Sequence, residues 1–565
     1  MKKLLQTIIF LGCYGALHAQ CPAPASQIEL HANNIQARIL NGGDLFSDFN
    51  KGQFIPNPTP GVISPSTIYT AGLWMGGVDP GGNLKIAAVD YRGTGKTDYS
   101  AGPLSLEGTT DDITCYNWDR HFRVTGSEIA SFLNALPLTT GQAVAQFPAV
   151  MGWPARGNST FAGIWGFDLP FTTQSLAPFV DANGDGFYTP LAGDYPAVEL
   201  RGMLPFVPAE IIWCVFNDQK GGANHPVTNG NPIQMEVQLT TWAFNCPDEP
   251  VLNNTIFTSH KLINRSSENL DSFFVGLWVD FDLGCHMDDY VGCDPNRNTM
   301  YVYNQDAQDG NPGITCSGTP TFTTNPPVQS VTFLGDNSIQ ENNLHSFVAY
   351  GIGGSITDDP TAPVEYYSNL TGHWLGGTPM TYGGTGSGGS TPTKHLFPDD
   401  PANPNGWSMC TNNSAAGDRR VIGNRSVGLL QPGQVSELNT AWTVHFNTPP
   451  PCNLGNTLSE VDVLHQKHNN GYAGLCSSVS KTTLAPADNV ELFPNPTAAD
   501  ATLRYGAIKV EEIRVFDAAG KLVQLLQNVE PGETMLKTSQ LPVGVYTLQV
   551  LTAEGILAKK LTLVR

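Results

Sequence analysis

Apolar and polar residues alternate with a period of two through most of this chain, and glycine, proline, asparagine or aspartate cuts each run. Over residues 234–244, Met235, Val237, Leu239 and Ala243 fall on one row, with Thr241 its polar member. Strand side chains point alternately to the two faces of a sheet, so this pattern predicts a strand with an apolar side. The same reading gives strands over 254–264 and 272–281. It gives another over 31–44 running into a glycine turn, and two more over 68–74 and 84–91 on either side of the glycine-rich turn at 76–82. Helical spacing covers only 127–136 and 458–469, and residues 379–393 read as a low-complexity Gly/Ser/Thr loop. The expected fold class is all-β, with an antiparallel β-sandwich body of one or two sandwich subdomains.

The end of the chain carries the most specific pattern. Residues 513–516 read as a strand, 517–520 as a turn and 521–523 as the start of the return strand. A second turn and strand span 541–550, with Tyr546, Leu548 and Val550 on one face, and 556–564 closes the sheet. Pro494 and Pro496 cannot donate to a ladder, so the opening segment belongs at an edge or leads into the first strand. These residues predict a small immunoglobulin-like β-sandwich. The motifs Phe493-Pro494-Asn495-Pro496, Asp517-x-x-Gly520-Lys521, Leu541-Pro542-x-Gly544-Val545-Tyr546 and Lys560-Leu561 together resemble the C-terminal sorting domain of type IX secretion cargo from Bacteroidetes-type bacteria. That resemblance implies recognition by the outer-membrane translocon and removal by its sorting-domain peptidase. The body would then be released or attached to surface lipopolysaccharide.

The opening residues agree with export. Lys2 and Lys3 precede a short apolar run, and Leu17-His18-Ala19 offers a cleavage site before Gln20. A lipobox at Leu11-Gly12-Cys13 fits less well. The expected organisation is a signal peptide at 1–19, an N-terminal β-rich subdomain with a calcium loop at 20–200, a second sandwich at 201–476, a linker at 477–487 and the sorting domain at 488–565. No later segment approaches a membrane span. The body also resembles a recurrent group of sorting-domain cargo without an established activity, through Asn33-Asn34, Leu73-Trp74-Met75-Gly76-Gly77-Val78-Asp79 and Asp280-Phe281-Asp282-Leu283-Gly284.

Composition narrows the function classes. Hydrophobic residues make up 40% of the 565, enough for substantial cores, while charged residues are 14% and Gly 59 and Pro 42 are high. That balance favours turn-rich β structure. Most of the net charge of −21 lies in the body, which argues against a nucleic-acid partner, because phosphate binding needs clustered Lys and Arg. Of the 11 cysteines, Cys13 lies in the leader, and the even remainder favours disulfides in an exported chain. Proximity in sequence suggests Cys285–Cys293 and Cys452–Cys476.

Two constellations carry candidate chemistry. In the first, Asp181, Asn183 and Asp185 supply oxygens at loop positions 1, 3 and 5, Gly186 permits the sharp turn, and Phe187 offers a carbonyl. This spacing suits a calcium ion, which takes six to eight oxygen ligands. Position 12 is Ala192 rather than Glu, so Asp194 is the candidate for the bidentate carboxylate. A plain Asp/Asn/Gly turn is the alternative. The second constellation is Asp280, Asp282, Asp288, Asp289 and Asp294, with Asp306 and Asp309 following. Alternation puts Asp280 and Asp282 on one face, where like charges favour a cation or a raised pKa. A solvated acidic loop and a glycosidase-type carboxylate pair stay open beside calcium.

Other motifs give less. Residues 92–97 lack the first glycine of a phosphate loop, with Asp90 in its place, and read as a turn. Neither His-Glu-x-x-His nor Gly-x-Ser-x-Gly occurs. The tryptophans read as core more readily than as a sugar-stacking platform, and Gly417-Asp418-Arg419-Arg420 reads as a structural ion pair. The expected function is a secreted, calcium-stabilised, disulfide-bonded scaffold with a structural, adhesive or glycan- or protein-binding role. A carbohydrate-active hydrolase using the cluster from Asp280 to Asp294 is the alternative.

Overall fold

A computed structural model describes residues 21–564 except 173–175, 202, 220–224, 247, 311–315, 317, 336–342, 352–355, 447–450, 473–489, 507, 518–521, 528, 530–531, 540 and 553–554. The signal peptide, Cys476, the linker and Gly520 lie outside the described residues.

Two antiparallel sheets of nine strands each build the body. The first runs β1 (Gln27–Leu30), β2 (Ile35–Leu40), β3 (Asp44–Leu45), β5 (Thr70–Val78), β14 (Leu270–Phe281), β22 (Arg419–Leu430) and β18 (Ser346–Tyr350). In it β4 (Phe54–Pro56) pairs with β2 and β6 (Leu84–Ala87) with β5. The second runs β15 (Asp289–Asp294), β16 (Thr299–Asn304), β17 (Val328–Leu334), β23 (Val435–His445), β13 (Thr255–Asn264), β12 (Met235–Ala243), β11 (Glu210–Asn217) and β7 (Ser100–Ala101), with β8 (Phe122–Thr125) on β11. Strands from either side of residue 200 share both sheets: β5 pairs with β14, and β8 with β11. The boundary expected there coincides with no break in either sheet.

One apolar core joins the two sheets, with Phe46 packed edge-on against Trp442 of β23 at 4.9 Å. A second core covers another face of the second sheet. It gathers Trp213 and Trp242 with Trp118 of α1 (Asp112–Trp118), Phe132 of α2 (Gly126–Ala135) and, in the order of the chain, residues of α3 (Thr140–Gln146), α4 (Pro148–Met151), α5 (Phe161–Trp165) and α6 (Pro250–Asn253). Every position of β11 and β12 is therefore buried, although only one row of β12 was expected to be apolar. A sheet covered on both faces loses the in–out contrast of a half-exposed one. On β12 the buried Glu236 carboxylate pairs with Arg265 at 3.1 Å and accepts from Gln238 Nε2 at 2.9 Å, while Gln238 Oε1 is enclosed without a partner.

Two helices match their expected places, α2 and α8 (Thr457–Asn469), but α1 and α3 to α6 were not expected, nor was α7 (Pro363–Leu370). All are one or two turns long, too short for a 3.6-residue period to declare itself. Capping boxes open α2 and α3, formed by Thr125 with Glu128 and by Thr139 with Gln142. Residues around 379–393, read as a loop, instead contribute to a three-stranded sheet of β19 (His373–Trp374), β20 (Thr378–Thr381) and β21 (Pro392–Thr393).

Outside the two large sheets, β9 (Phe179–Val180) and β10 (Tyr195–Pro196) form a hairpin. The tail forms its own sandwich. One sheet holds β24 (Glu491–Phe493), β25 (Ala501–Gly506) and β28 (Gly532–Leu536). The other holds β27 (Leu522–Gln527), β26 (Val510–Phe516), β29 (Gly544–Thr552) and β30 (Gly555–Leu563), and one core joins the two.

Candidate functional site

The apolar run of β14 sits between β5 and β22, and its end brings carboxylates together. Asp280 lies opposite Thr70 on one side and Arg420 on the other. Two residues earlier on the same face, Trp278 stacks on Trp74 with ring centres 6.3 Å apart. Tyr91 stands edge-on to Trp278 at 5.1 Å, and its hydroxyl donates to Asp280 Oδ2 at 2.9 Å. Asp280 is 5% exposed, and its Oδ1 is enclosed without a hydrogen-bond partner.

Asp282 follows β14 and Asp418 precedes β22. One carboxylate oxygen from each of Asp280, Asp282 and Asp418 lies within 4.8 Å of the others. Arg420 donates to Asp418 Oδ2 at 3.0 Å and reaches Asp359 at 3.2 Å, which is the ion pair expected of that segment. Burial, with the charges of Asp282 and Asp418, holds the Asp280 carboxyl well above the usual range. Burial and Asp418 push Asp282 up to about 7 against the opposing pull of Arg420.

Asp282 also lines a cleft of about 430 Å³ with His31, Gln36, Gln53, Ser66 and Tyr69. Tyr69 is positioned by its backbone N–H, which donates to the Asp280 carbonyl at 2.9 Å. Burial and the charges of Asp282 and Asp280 raise its hydroxyl pKa. Gly284 closes the turn after Asp282 at φ 71°, and a Cβ there would lie 1.9 Å from Asp309 Oδ2, so only glycine fits.

The remaining acids of the second constellation part from this group. Asp288 accepts from Gly310 N at 2.9 Å, Asp309 from Cys285 N at 2.7 Å, and Asp289 from Leu283 N at 3.0 Å. Cys285, Asp288 and Asp309 also converge within 4.8 Å, but the Cys285 sulfur is already bonded to Cys316. Burial pushes Asp309 up to about 6 and raises Asp288 and Asp289. β15 carries Asp294 to its other end, where it caps a 3-10 turn and pairs with Arg297 at 2.8 Å. Asp306 accepts from Gln308 N at 2.7 Å.

The Asp181 loop joins β9 to β10. Asp181 accepts from Gly184 N at 2.7 Å and Gly186 N at 2.8 Å, Asn183 from Asp185 N at 3.0 Å, and Asp185 from Phe187 N at 2.8 Å. Asp194 is buried beneath the loop and accepts from Ala182 N at 2.8 Å and Thr189 N at 2.6 Å. Asp181 is half-buried and Asn183, Asp185 and Phe187 are exposed, and the loop's carboxylates are not among the groups of ligand atoms that converge within 4.8 Å among the described residues.

The expected cysteine pairings are corrected. Cys285 is bonded to Cys316 and Cys452 to Cys410, while Cys21 is bonded to Cys115. Cys293 and Cys214 are buried free thiols. Cys293 sits on β15 opposite Met300, and its thiol donates to the Leu396 carbonyl at 3.4 Å, so closeness in sequence misled. Residues 92–94 form a 3-10 turn, and the Arg92 guanidinium is buried against Asp44, which leaves it no phosphate to bind. Trp74, Trp153, Trp213, Trp242, Trp278 and Trp374 are fully buried and form no surface platform.

In the tail, Asn495 fills the gap left by its two flanking prolines. Its Nδ2 donates to the Lys560 carbonyl at 2.5 Å and its Oδ1 accepts from Thr562 N at 2.9 Å, tying the opening motif to β30. Thr497 continues the contact through Thr562 and Val564. Phe493 is covered by the Arg504 guanidinium at 4.6 Å. Gly544 opens β29, the buried Tyr546 donates its hydroxyl to the Pro542 carbonyl at 2.6 Å, and Lys560 is exposed on β30.

Among the described residues no helix is long and apolar enough to cross a membrane. No curated protein matches the chain. Among solved structures, a polysaccharide lyase is 9% identical with a TM-score of 0.16, covering 58% of this chain and 34% of that one. The BSP domain of a biofilm-associated protein is 9% identical with a TM-score of 0.14, covering 97% of this chain and 84% of that one. At such scores neither likeness bears on fold or activity. Residues 491–564 match the family model of the secretion system C-terminal sorting domain. With that domain at its end, the chain is a cargo protein of type IX secretion, carried across the outer membrane to the cell surface or beyond.

Proposed function

We propose that the body is a calcium-stabilised, disulfide-bonded surface scaffold that holds a polysaccharide in the cleft beside Asp282. The signal peptide at 1–19 starts its export, and the sorting domain is removed at the surface, leaving the body released or anchored. The observation that carries this reading is the lining of the cleft: Tyr69 offers an aromatic face, and Gln36, Gln53, Ser66 and His31 offer hydrogen-bonding groups suited to hydroxyls. Calcium at the Asp181 loop is supported by its oxygen-rich spacing and by Gly184 and Gly186, both at positive φ.

A hydrolase is the second reading, because a carboxyl titrating near 7 suits a general acid. It is weakened by the cleft, which has Asp282 in its lining while Asp280 is enclosed behind it. A glycan array followed by an assay for reducing ends separates the two. Binding without turnover is expected; turnover abolished by Asp282→Asn would replace the scaffold with an enzyme. Chelation with EDTA is expected to lower the melting temperature by several degrees, and an unchanged melting curve removes the calcium.

A further inference from the structure

The end of the cleft holds more negative charge than its surroundings balance. Asp280, Asp282 and Asp418 converge within 4.8 Å, and Arg420 supplies one positive charge that it shares with Asp359. The Asp280 carboxylate is 95% buried, being 5% exposed, and while Tyr91 satisfies one oxygen, Oδ1 has no partner. Asp418 Oδ1 is also enclosed and unpartnered. An enclosed carboxylate oxygen without a partner is costly, and a cation is the ligand that satisfies several such oxygens at once.

We infer that Asp280, Asp282 and Asp418 hold a divalent cation at the end of the cleft, and that this cation takes hydroxyl or carboxylate oxygens of a bound glycan. All three protein ligands are oxygens, the donor set of calcium and magnesium rather than of zinc or copper. Three carboxylates leave coordination positions of a six- to eight-coordinate ion open. Asp282 belongs both to the cluster and to the cleft lining, so those positions face the space in which a ligand would lie. The site differs from the Asp181 loop in bringing together residues far apart in sequence, at the end of β14 and the start of its neighbour β22. The glycan half of this inference rests on the function proposed above.

Terbium is a suitable probe, because Tyr91, Tyr69 and Trp278 surround the site and would sensitise its luminescence. The experiment uses the full chain with Asp181→Asn and Asp185→Asn in the background, which silences the loop. Saturable luminescence that calcium displaces is expected, with affinity at least tenfold weaker in both Asp282→Asn and Asp418→Asn. Circular dichroism confirms that each variant is folded, and a conservative Asp418→Glu should restore part of the signal. Luminescence unchanged by either substitution overturns the site, as does a folded background protein that binds no terbium. A glycan array with calcium or with EDTA then tests the coupling. Glycan binding lost on chelation and in Asp418→Asn supports it. Binding that ignores both overturns the coupling and leaves the proposed function standing. Terbium binding without any glycan binding supports the cation site and overturns the glycan reading.

Discussion

The carboxylates of Asp282 and Asp418 meet within 4.8 Å because β14 and β22 are antiparallel partners, so the end of one lies beside the start of the other. Arg420, opposite Asp280 in the ladder, is the guanidinium that offsets them. Its replacement by Gln should lower unfolding stability by about 1–2 kcal/mol, less than for a fully buried pair because Asp418 is 44% exposed. Urea unfolding in EDTA measures the loss. Adding Asp418→Asn should recover part of it, and a double mutant no better than the single would show that the two side chains do not interact.

His260 gives the body an acid limit. It lies on β13 between Leu239 and Leu438, is 0% exposed, and has no hydrogen-bond partner on either ring nitrogen. Burial lowers its pKa from 6.5 to about 4. The native ring therefore stays neutral while the unfolded chain takes up a proton, so stability is present above pH 6.5 and is lost as pH falls toward 4. The difference amounts to about 3 kcal/mol at most. His121 and His468, also lowered to about 4 by burial, act in the same direction. Melting temperatures from pH 7 to pH 4 should fall less steeply in His260→Leu than in the parent.

Cys410–Cys452 closes a loop of 42 residues, which the chain-entropy relation values at about 4 kcal/mol. Cys410→Ser should cost stability of that order in denaturant titrations. Cys293→Ala, which removes only a buried thiol, should cost about 1 kcal/mol and leave the disulfide map unchanged. Peptide mapping without reductant checks the map, and a Cys285–Cys293 peptide would contradict it.

Asn495→Ala removes both hydrogen bonds that tie the Phe-Pro-Asn-Pro motif to β30, a loss of about 1–3 kcal/mol to the tail. Secretion should drop, with full-length protein accumulating in the periplasm. Truncation after Ala487 should retain all of it there. Immunoblots of periplasm and medium report both, and normal secretion of the truncated chain would count against the sorting role.

Strand positions were legible because period-two patterning survives in one sequence: 254–264 and 272–281 became β13 and β14 almost residue for residue. The sorting tail was legible for a related reason, since its turns, prolines and edge strands are local features that fix local geometry. The short helices α1 and α3 to α7 were not, because one or two turns carry no period, although a capping box of Thr139 with Gln142 opens α3.

What the chain could not declare by itself was partnership at long range. The pairing of Cys285 with Cys316, the covering of β11 and β12 on both faces, and the meeting of Asp280 and Asp282 with Asp418 all depend on which strands lie side by side. Local sequence sets where a strand runs and which way its side chains alternate. Only the packed sheet, by choosing each strand's neighbours, decides which of those side chains touch.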